Sequence, residues 1–125
     1  MLQVLNIAFF VFHTALLVFN LTGWAWPRTR LWHAVALGGT ASSWLVLGAW
    51  FGWGYCFCTD WHWQVRRAMG ISDPEGSYTQ FLLRALTGLE INRMAMDWIT
   101  GLAVGCAAAL NIGLTVRDRR RRMVV

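Results

Sequence analysis

The chain has 125 residues, 57% of them hydrophobic, with nine tryptophans, eleven arginines, no lysine and six acidic residues, for a net charge of +5. That is short for two domains, and its apolar runs are hard to reconcile with a disordered chain, a lone nucleic-acid module or a disulfide-rich secreted scaffold. The class follows from where the charges sit: residues 1–27 and 31–55 hold no Asp, Glu, Lys or Arg, and each run exceeds the roughly 20 residues a helix needs to cross about 30 Å of hydrocarbon.

The expected fold is a single all-α membrane domain over residues 1–125, with three transmembrane helices and two short amphipathic interfacial helices between the second and third. The first span runs over about 2–26, where Trp24, Trp26 and Pro27 followed by Arg28 and Arg30 mark its exit from lipid; indoles favour the headgroup layer and proline stops a helix. It lacks the basic n-region of a signal peptide and is too long for one. The second span covers about 31–55, so the first two form an antiparallel hairpin. The third covers about 94–116 and stops at Arg117, Asp118 and the arginines 119–122; its one acid, Asp97, lies four residues after Arg93 and can meet it on one helix face. With three spans, the 27–31 turn and the tail 117–125 share one side and seven arginines. The positive-inside bias therefore puts the C-terminus in the cytoplasm and the N-terminus outside. These arginines set topology and touch anionic lipid heads at about 1 kcal/mol each; a nucleic-acid role would need a basic folded surface, and none is expected.

The outer loop, residues 56–93, is too polar to be lipid-embedded. Thr59 or Asp60 can cap a short helix ending near Gly70, with Trp61, Val65, Ala68 and Met69 on one face and Gln64 and Arg67 on another. Ser72, Asp73, Pro74, Glu75 and Gly76 read as turns. Ser77 with Gln80 fits a capping box, and Tyr78, Phe81, Leu82, Ala85, Leu86 and Leu89 follow at helical spacing. Both helices are expected to cover the span ends with their apolar faces; the alternative for 78–89 is a re-entrant segment.

Gly101, Gly105, Ala109 and Gly113 form a small-residue column in the third span, and Gly48 and Gly52 a shorter pair in the second. Such columns allow close approach of another helix, in the same chain or in another. Asn6, His13 and Asn20 recur every seven residues and share a stripe of the first span. At helical rise Asn20 falls near the depth of Asn111, His13 near Ser42, Ser43 and Cys106, and Asn6 near Asp97. These layers read as packing specificity, or as a proton path or ligand site around His13. His13 and His33 differ in depth by roughly 15 Å, so they cannot ligate one haem within the chain; a single-His cofactor site at His13 stays open. Cys106 is expected to pack as a small apolar residue.

Residues 52–67 gather Trp53, Tyr55, Cys56, Cys58, Asp60, Trp61, His62 and Trp63. Cys56 and Cys58 can form a strained disulfide, or join His62 and Asp60 as ligands for zinc or copper, or serve as ordinary interfacial material. No nucleophile elbow, phosphate loop, HExxH or paired carboxylates at catalytic spacing occur in the sequence.

The order of features, from His13, through Trp26 to Arg28, Trp32 and His33, Gly52, Trp53 and Cys56, Trp63 with Arg66 and Arg67, to Tyr78–Leu82, resembles a small bacterial integral membrane family of uncharacterised role, domain of unknown function 2784. The pair Cys56 and Cys58 departs from that pattern, which has a single cysteine. The resemblance implies a bacterial inner-membrane protein and brings no activity, cofactor or ligand with it.

The leading expectation is a non-catalytic accessory or scaffold subunit whose columns pack against a membrane-protein partner or another copy. A redox or metal-handling protein using Cys56, Cys58 and His62 is the alternative, and an oligomeric transporter or channel lined by Asn6, His13 and Asn20 a further one. A packed three-helix bundle has little interior, so no substrate cavity is expected within one copy.

Overall fold

The computed structural model describes residues 1–72 and 76–124. It contains five helices: α1 Leu2–Thr22, α2 Arg30–Phe51, α3 Phe57–Ala68, α4 Tyr78–Thr87 and α5 Arg93–Met123. No strand occurs among the described residues. Helices α1, α2 and α5 are long and apolar enough to cross a membrane.

The span boundaries move for identifiable reasons. α1 stops at Thr22, short of Trp26, because α2 docks on its end: a Cβ at Gly23 would lie 2.8 Å from the His33 ring. The connection is hydrogen-bonded rather than slack. Trp24 donates to the Leu21 carbonyl at 2.7 Å, and the Thr29 hydroxyl reaches the Gly23 carbonyl at 2.7 Å, which supplies donors to carbonyls near the helix end. α2 takes one π-helical turn at Ser43–Leu47. It ends at Phe51, before the expected residue 55, because Gly52 (φ 102°) and Gly54 (φ 76°) turn the chain in a region that side-chain-bearing residues avoid. α5 is capped by Asn92, whose side chain accepts from the Ala95 amide at 2.8 Å, and stays helical through the arginine run. Its 31 residues are about 46 Å long at helical rise, more than the hydrocarbon thickness.

Both short helices form, the first with a different cap from the one expected and the second with the expected Ser77. Cys56, in extended conformation, occupies the N-cap of α3 in place of Thr59 or Asp60. Ser77 caps α4 by accepting from the Gln80 amide at 3.3 Å, but the Gln80 side chain donates to the Ile91 carbonyl at 2.8 Å instead of returning to Ser77. Half of the capping box is present. Of the turn expected at 72–76, Asp73, Pro74 and Glu75 lie outside the described residues.

α3 runs along α1 rather than across its end. Cys56 faces His13 and His62 faces Asn6, so six residues of α3, about 9 Å, match seven of α1, about 10.5 Å, in antiparallel sense. Tyr78, the first residue of α4, meets Phe10 and Thr14 of α1. The start of α4 is thereby placed beside the body of the first span.

The molecule is polar inside and apolar outside. The largest fully buried side chains are two imidazoles, His33 and His62, both 0% exposed, whereas Trp50, Phe51, Leu102 and Ile112 are 64–75% exposed. Water as solvent selects the opposite distribution; lipid around the spans explains it, because polar groups at membrane depth must find partners within protein. α3 is turned only in part. Of its expected apolar face Trp61 is 54% exposed and Ala68 exposed while Val65 and Met69 are half-buried; Gln64 and Arg67 are exposed as expected, and Thr59, His62 and Trp63 are buried, His62 against Phe9 and Phe81 and Trp63 against Tyr78 and Phe81.

Candidate functional site

Two hydrogen-bonded clusters, one toward each end of α1, frame a cavity. The first is centred on His33. Its Nε2 donates to the Asn20 carbonyl at 2.9 Å, and its Nδ1 accepts from Asn111 Nδ2 at 2.6 Å. Those roles are forced: a carbonyl only accepts, and Asn111 is oriented by donating from the same nitrogen to the Arg30 carbonyl at 2.9 Å. Asn111 Oδ1 accepts from Thr115 at 3.2 Å. One imidazole thus ties α1, α2 and α5 together. Below it, Arg30, with a side chain 9% exposed, pairs with Asp118 and donates from Nε to the Trp24 carbonyl at 3.0 Å.

The second cluster joins α1 to α3 and α4. His62 Nε2 donates to Asn6 Oδ1 at 2.8 Å, an oxygen that also receives Arg66 at 3.4 Å. The Arg66 guanidinium lies 5.0 Å from the centre of the Phe81 ring. His13 stacks on Tyr78 with ring centres 3.9 Å apart and planes within 10°, and its Nε2 lies 3.9 Å from Cys56 Sγ. The Tyr78 hydroxyl donates to the Phe10 carbonyl at 3.0 Å and therefore accepts from Thr14 at 2.7 Å. Burial raises the Tyr78 hydroxyl above its ordinary range, and the Thr14 hydrogen bond pulls partly against that shift.

Between the clusters lies a cavity of about 490 Å³. Its walls are Phe12, Leu16 and Leu17 of α1 and Ala36, Gly39 and Trp44 of α2, with Val104 of α5. The segment 54–60, Trp63 and Tyr78 line it at the α3 end. The space is a cleft rather than an enclosed cavity; the segment from Gly54 to Cys56 lies along it, with Ser43 donating to the Tyr55 carbonyl at 3.1 Å. Two buried polar atoms of cavity-lining residues have no partner, His13 Nδ1 and Asn20 Oδ1. The Asn20 orientation follows from Thr40, which gives its hydroxyl proton to the Ala36 carbonyl at 3.0 Å and so accepts from Asn20 Nδ2 at 2.9 Å.

The structure regroups the residues singled out from sequence. Asn20 and Asn111 share one layer, joined through His33. Asn6 meets His62 and Arg66 instead of Asp97, which pairs with Arg93 at 3.6 Å and packs on Gly54. His13 meets Cys56 and Tyr78; Ser43 lines the same cavity, whereas Cys106 is exposed on the outer face. Depth counting assumed that only spans face spans, and the inserted loop changes the partners.

The candidate metal residues do not converge. Asp60 accepts from Gln64 at 2.8 Å and Tyr55 at 3.4 Å, His62 turns to Asn6 and Cys56 to His13. Among the described residues no three His, Cys, Asp or Glu side chains form a metal-holding group. Cys56 and Cys58 are both free thiols, and burial, then Cys56 beside it, pushes the Cys58 thiol up to about 11. A thiol so protonated is a poor nucleophile. His13 and Asn20 are buried and Asn6 is half-buried, and Asn20 and Asn6 are hydrogen-bonded within the chain.

The small-residue positions also separate. Gly48 is buried, and a Cβ there would lie 3.7 Å from the Trp53 backbone. Gly52 terminates α2 through its positive φ, and among the described residues a Cβ there would meet nothing within 4 Å. On α5, Gly105, Ala109 and Gly113 are exposed, Gly101 is half-buried, and a Cβ at any of the three glycines would meet nothing within 4 Å. Among the described residues, nothing packs within 4 Å of where a side chain would stand on the glycines of this column.

Sequence reasoning did not find Tyr78 as the partner of His13, nor Arg30 with Asp118. A signal for the latter existed: Asp118 is the single acid among the tail arginines, at the border where Arg30 leaves the turn.

No curated protein and no solved structure matches the chain. The family model described as Protein of Unknown function (DUF2784) matches residues 3–116, and the chain, an all-helical protein with three spans, belongs to that family.

Proposed function

We propose that this protein is a small accessory subunit of a larger membrane assembly, attached through the outward face of α5. The observation that carries the reading is the exposed column Gly105, Ala109 and Gly113, flanked by Leu102, Leu110 and Ile112 at 44–65% exposure. A recessed strip between bulky side chains gives lipid chains poor contact and lets a helix backbone approach closely. The polar residues are used inside the chain, so the assembly contact is apolar and steric. The bilayer is the bacterial inner membrane in this reading, with the arginine-rich tail cytoplasmic, as seven border arginines favour.

Purification in a mild detergent tests it. The tagged protein is expected to bring down a membrane protein in stoichiometric amount, and the double variant Gly105→Leu, Ala109→Leu to lose that protein while keeping its own helicity. A wild-type protein that elutes as a partnerless monomer, or a double variant that retains the partner, overturns the proposal.

A further inference from the structure

At its α3 end the cleft carries a pair of cysteines that the α5 contact leaves unused. Cys56 and Cys58 both line it, and both are free thiols. Cys56 is the N-cap of α3, in extended conformation and without a side-chain cap hydrogen bond, so no backbone amide holds its sulfur. Phe57, between the two, is helical, and helix geometry puts the Cα atoms of residues 56 and 58 roughly 5.4 Å apart. A disulfide bridges Cα atoms about 4.4–6.8 Å apart. An N-cap side chain lies over the first turn of its helix, where Cys58 sits, and the Cys56 thiol is near enough to add to the effect of burial on that of Cys58. The two differ in access: Cys56 is half-buried, whereas Cys58 is 7% exposed. Cys56 also meets an imidazole. His13 Nε2 lies 3.9 Å from its Sγ, and the His13 ring is held by stacking on Tyr78.

We propose that Cys56, Cys58 and His13 form a thiol–disulfide exchange site for a small neutral disulfide with apolar flanking groups. A thiol with an imidazole nitrogen at its sulfur is the arrangement of an activated nucleophile. In the first step the Cys56 proton passes to His13 Nε2 and the Cys56 sulfur attacks one sulfur of the substrate. A Cys56–substrate disulfide forms, the substrate S–S bond breaks, and the leaving thiolate takes the proton from His13. In the second step the Cys58 sulfur, giving up its proton, attacks the Cys56 sulfur; the Cys56–Cys58 bond forms and the second substrate thiol leaves with that proton. The dithiol of the chain is oxidised by two electrons, and the substrate disulfide is reduced to two thiols. A buried, protonated Cys58 is slow toward reagents in solution, but its target is the residue beside it, and proximity offsets a small thiolate fraction. Phe12, Leu16 and Trp44 supply apolar walls to a cleft whose 490 Å³ lies within the range of small-molecule sites. Arg93 and Asp97, which also line it, pair with each other, and Asp60 adds a carboxylate, so the lining disfavours an anionic substrate.

This site is independent of the α5 contact. The full chain with Cys106→Ala, which removes the exposed thiol outside the cleft, is reacted anaerobically in detergent with one equivalent of neutral dithiodipyridine and followed by thiopyridone release and intact mass. Release of both thiopyridones and a product lighter by two hydrogens, with no pyridyl adduct, are expected. Cys58→Ser should release one thiopyridone and stop at the mixed disulfide, and Cys56→Ser should react far more slowly than the parent. His13→Phe, which keeps a ring on Tyr78 but no proton acceptor, should slow the first step about a hundredfold. Dithiobis-nitrobenzoate, an activated aromatic disulfide with two carboxylates, should react about tenfold more slowly than the neutral reagent. A stable mixed disulfide with both cysteines present, a Cys56→Ser chain as fast as the parent, an unchanged rate in a helical His13→Phe chain, or equal rates with the two reagents overturns the proposal; should His13→Phe fail to fold, the stoichiometries of the parent and of Cys58→Ser still decide it.

Discussion

Asn111→Leu is expected to destabilise the three-span bundle by about 2–4 kcal/mol although it replaces a polar residue in a membrane helix with an apolar one of similar size. The amide of Asn111 donates to His33 Nδ1 at 2.6 Å and to the Arg30 carbonyl at 2.9 Å, and is itself 5% exposed. Each interhelical bond of this type contributes about 0.6–2 kcal/mol in a membrane. The substitution also leaves His33 Nδ1 with no donor, and His33 is fully buried and hydrogen-bonded to α1 through the Asn20 carbonyl. Reversible unfolding in mixed detergent micelles, followed by tryptophan fluorescence, measures the effect. The control is Ile112→Ala, one residue along α5 but 65% exposed, which removes more apolar volume and should cost less than Asn111→Leu because detergent replaces the lost contacts. A cost for Asn111→Leu below about 0.5 kcal/mol, the level of an ordinary surface substitution, refutes the claim that the imidazole network holds the bundle.

Gly23→Ala should destabilise by about 1–3 kcal/mol, since the added Cβ would sit 2.8 Å from both the His33 ring and the Phe19 carbonyl, whereas Gly105→Ala, with open space, should leave the isolated chain unchanged in the same assay. Tyr78→Phe keeps the ring on His13 but removes the hydroxyl shared by Phe10 and Thr14; a loss of about 1–2 kcal/mol is expected, and equal stability would remove Tyr78 from the list of bridging residues. Alkylation of Cys58, followed by mass spectrometry between pH 7 and 10, should be slow. With the thiol near 11, lowering pH favours the protonated folded form, and the rate should climb about tenfold per pH unit below that value; labelling at the denatured-chain rate at pH 8 would contradict the burial.

The spans were legible because lipid imposes a coarse rule: charge-free runs of sufficient length, closed by Trp26, Pro27 and the arginines, yield the three crossing helices. The polar stripe of α1 was legible for the same reason, as was Asn111 at the level of Asn20. What the residues did not disclose was the course of the outer loop. Its amphipathic faces, read with water as the solvent, pointed Trp61 inward, and the structure points it outward. Once α3 lies beside α1, Asn6 finds His62 and Arg66 rather than Asp97, and His13 finds Cys56 and Tyr78. These pairings span 43 to 65 residues of sequence and depend on where the segment after Gly52 turns, a backbone event signalled only by two glycines. The residues that line the cavity come from all of these segments, and no local pattern encodes it.

The proposed role requires that the outward face of α5 meet another membrane helix. Photo-crosslinking in native membranes from single positions along α5 measures this without detergent. Probes at residues 105, 109 and 113 are expected to capture one discrete membrane protein, while a probe at residue 107, which is buried within the chain, captures none. Crosslinks from the column only to lipid, or an unpatterned set of products shared equally with residue 107, would contradict it.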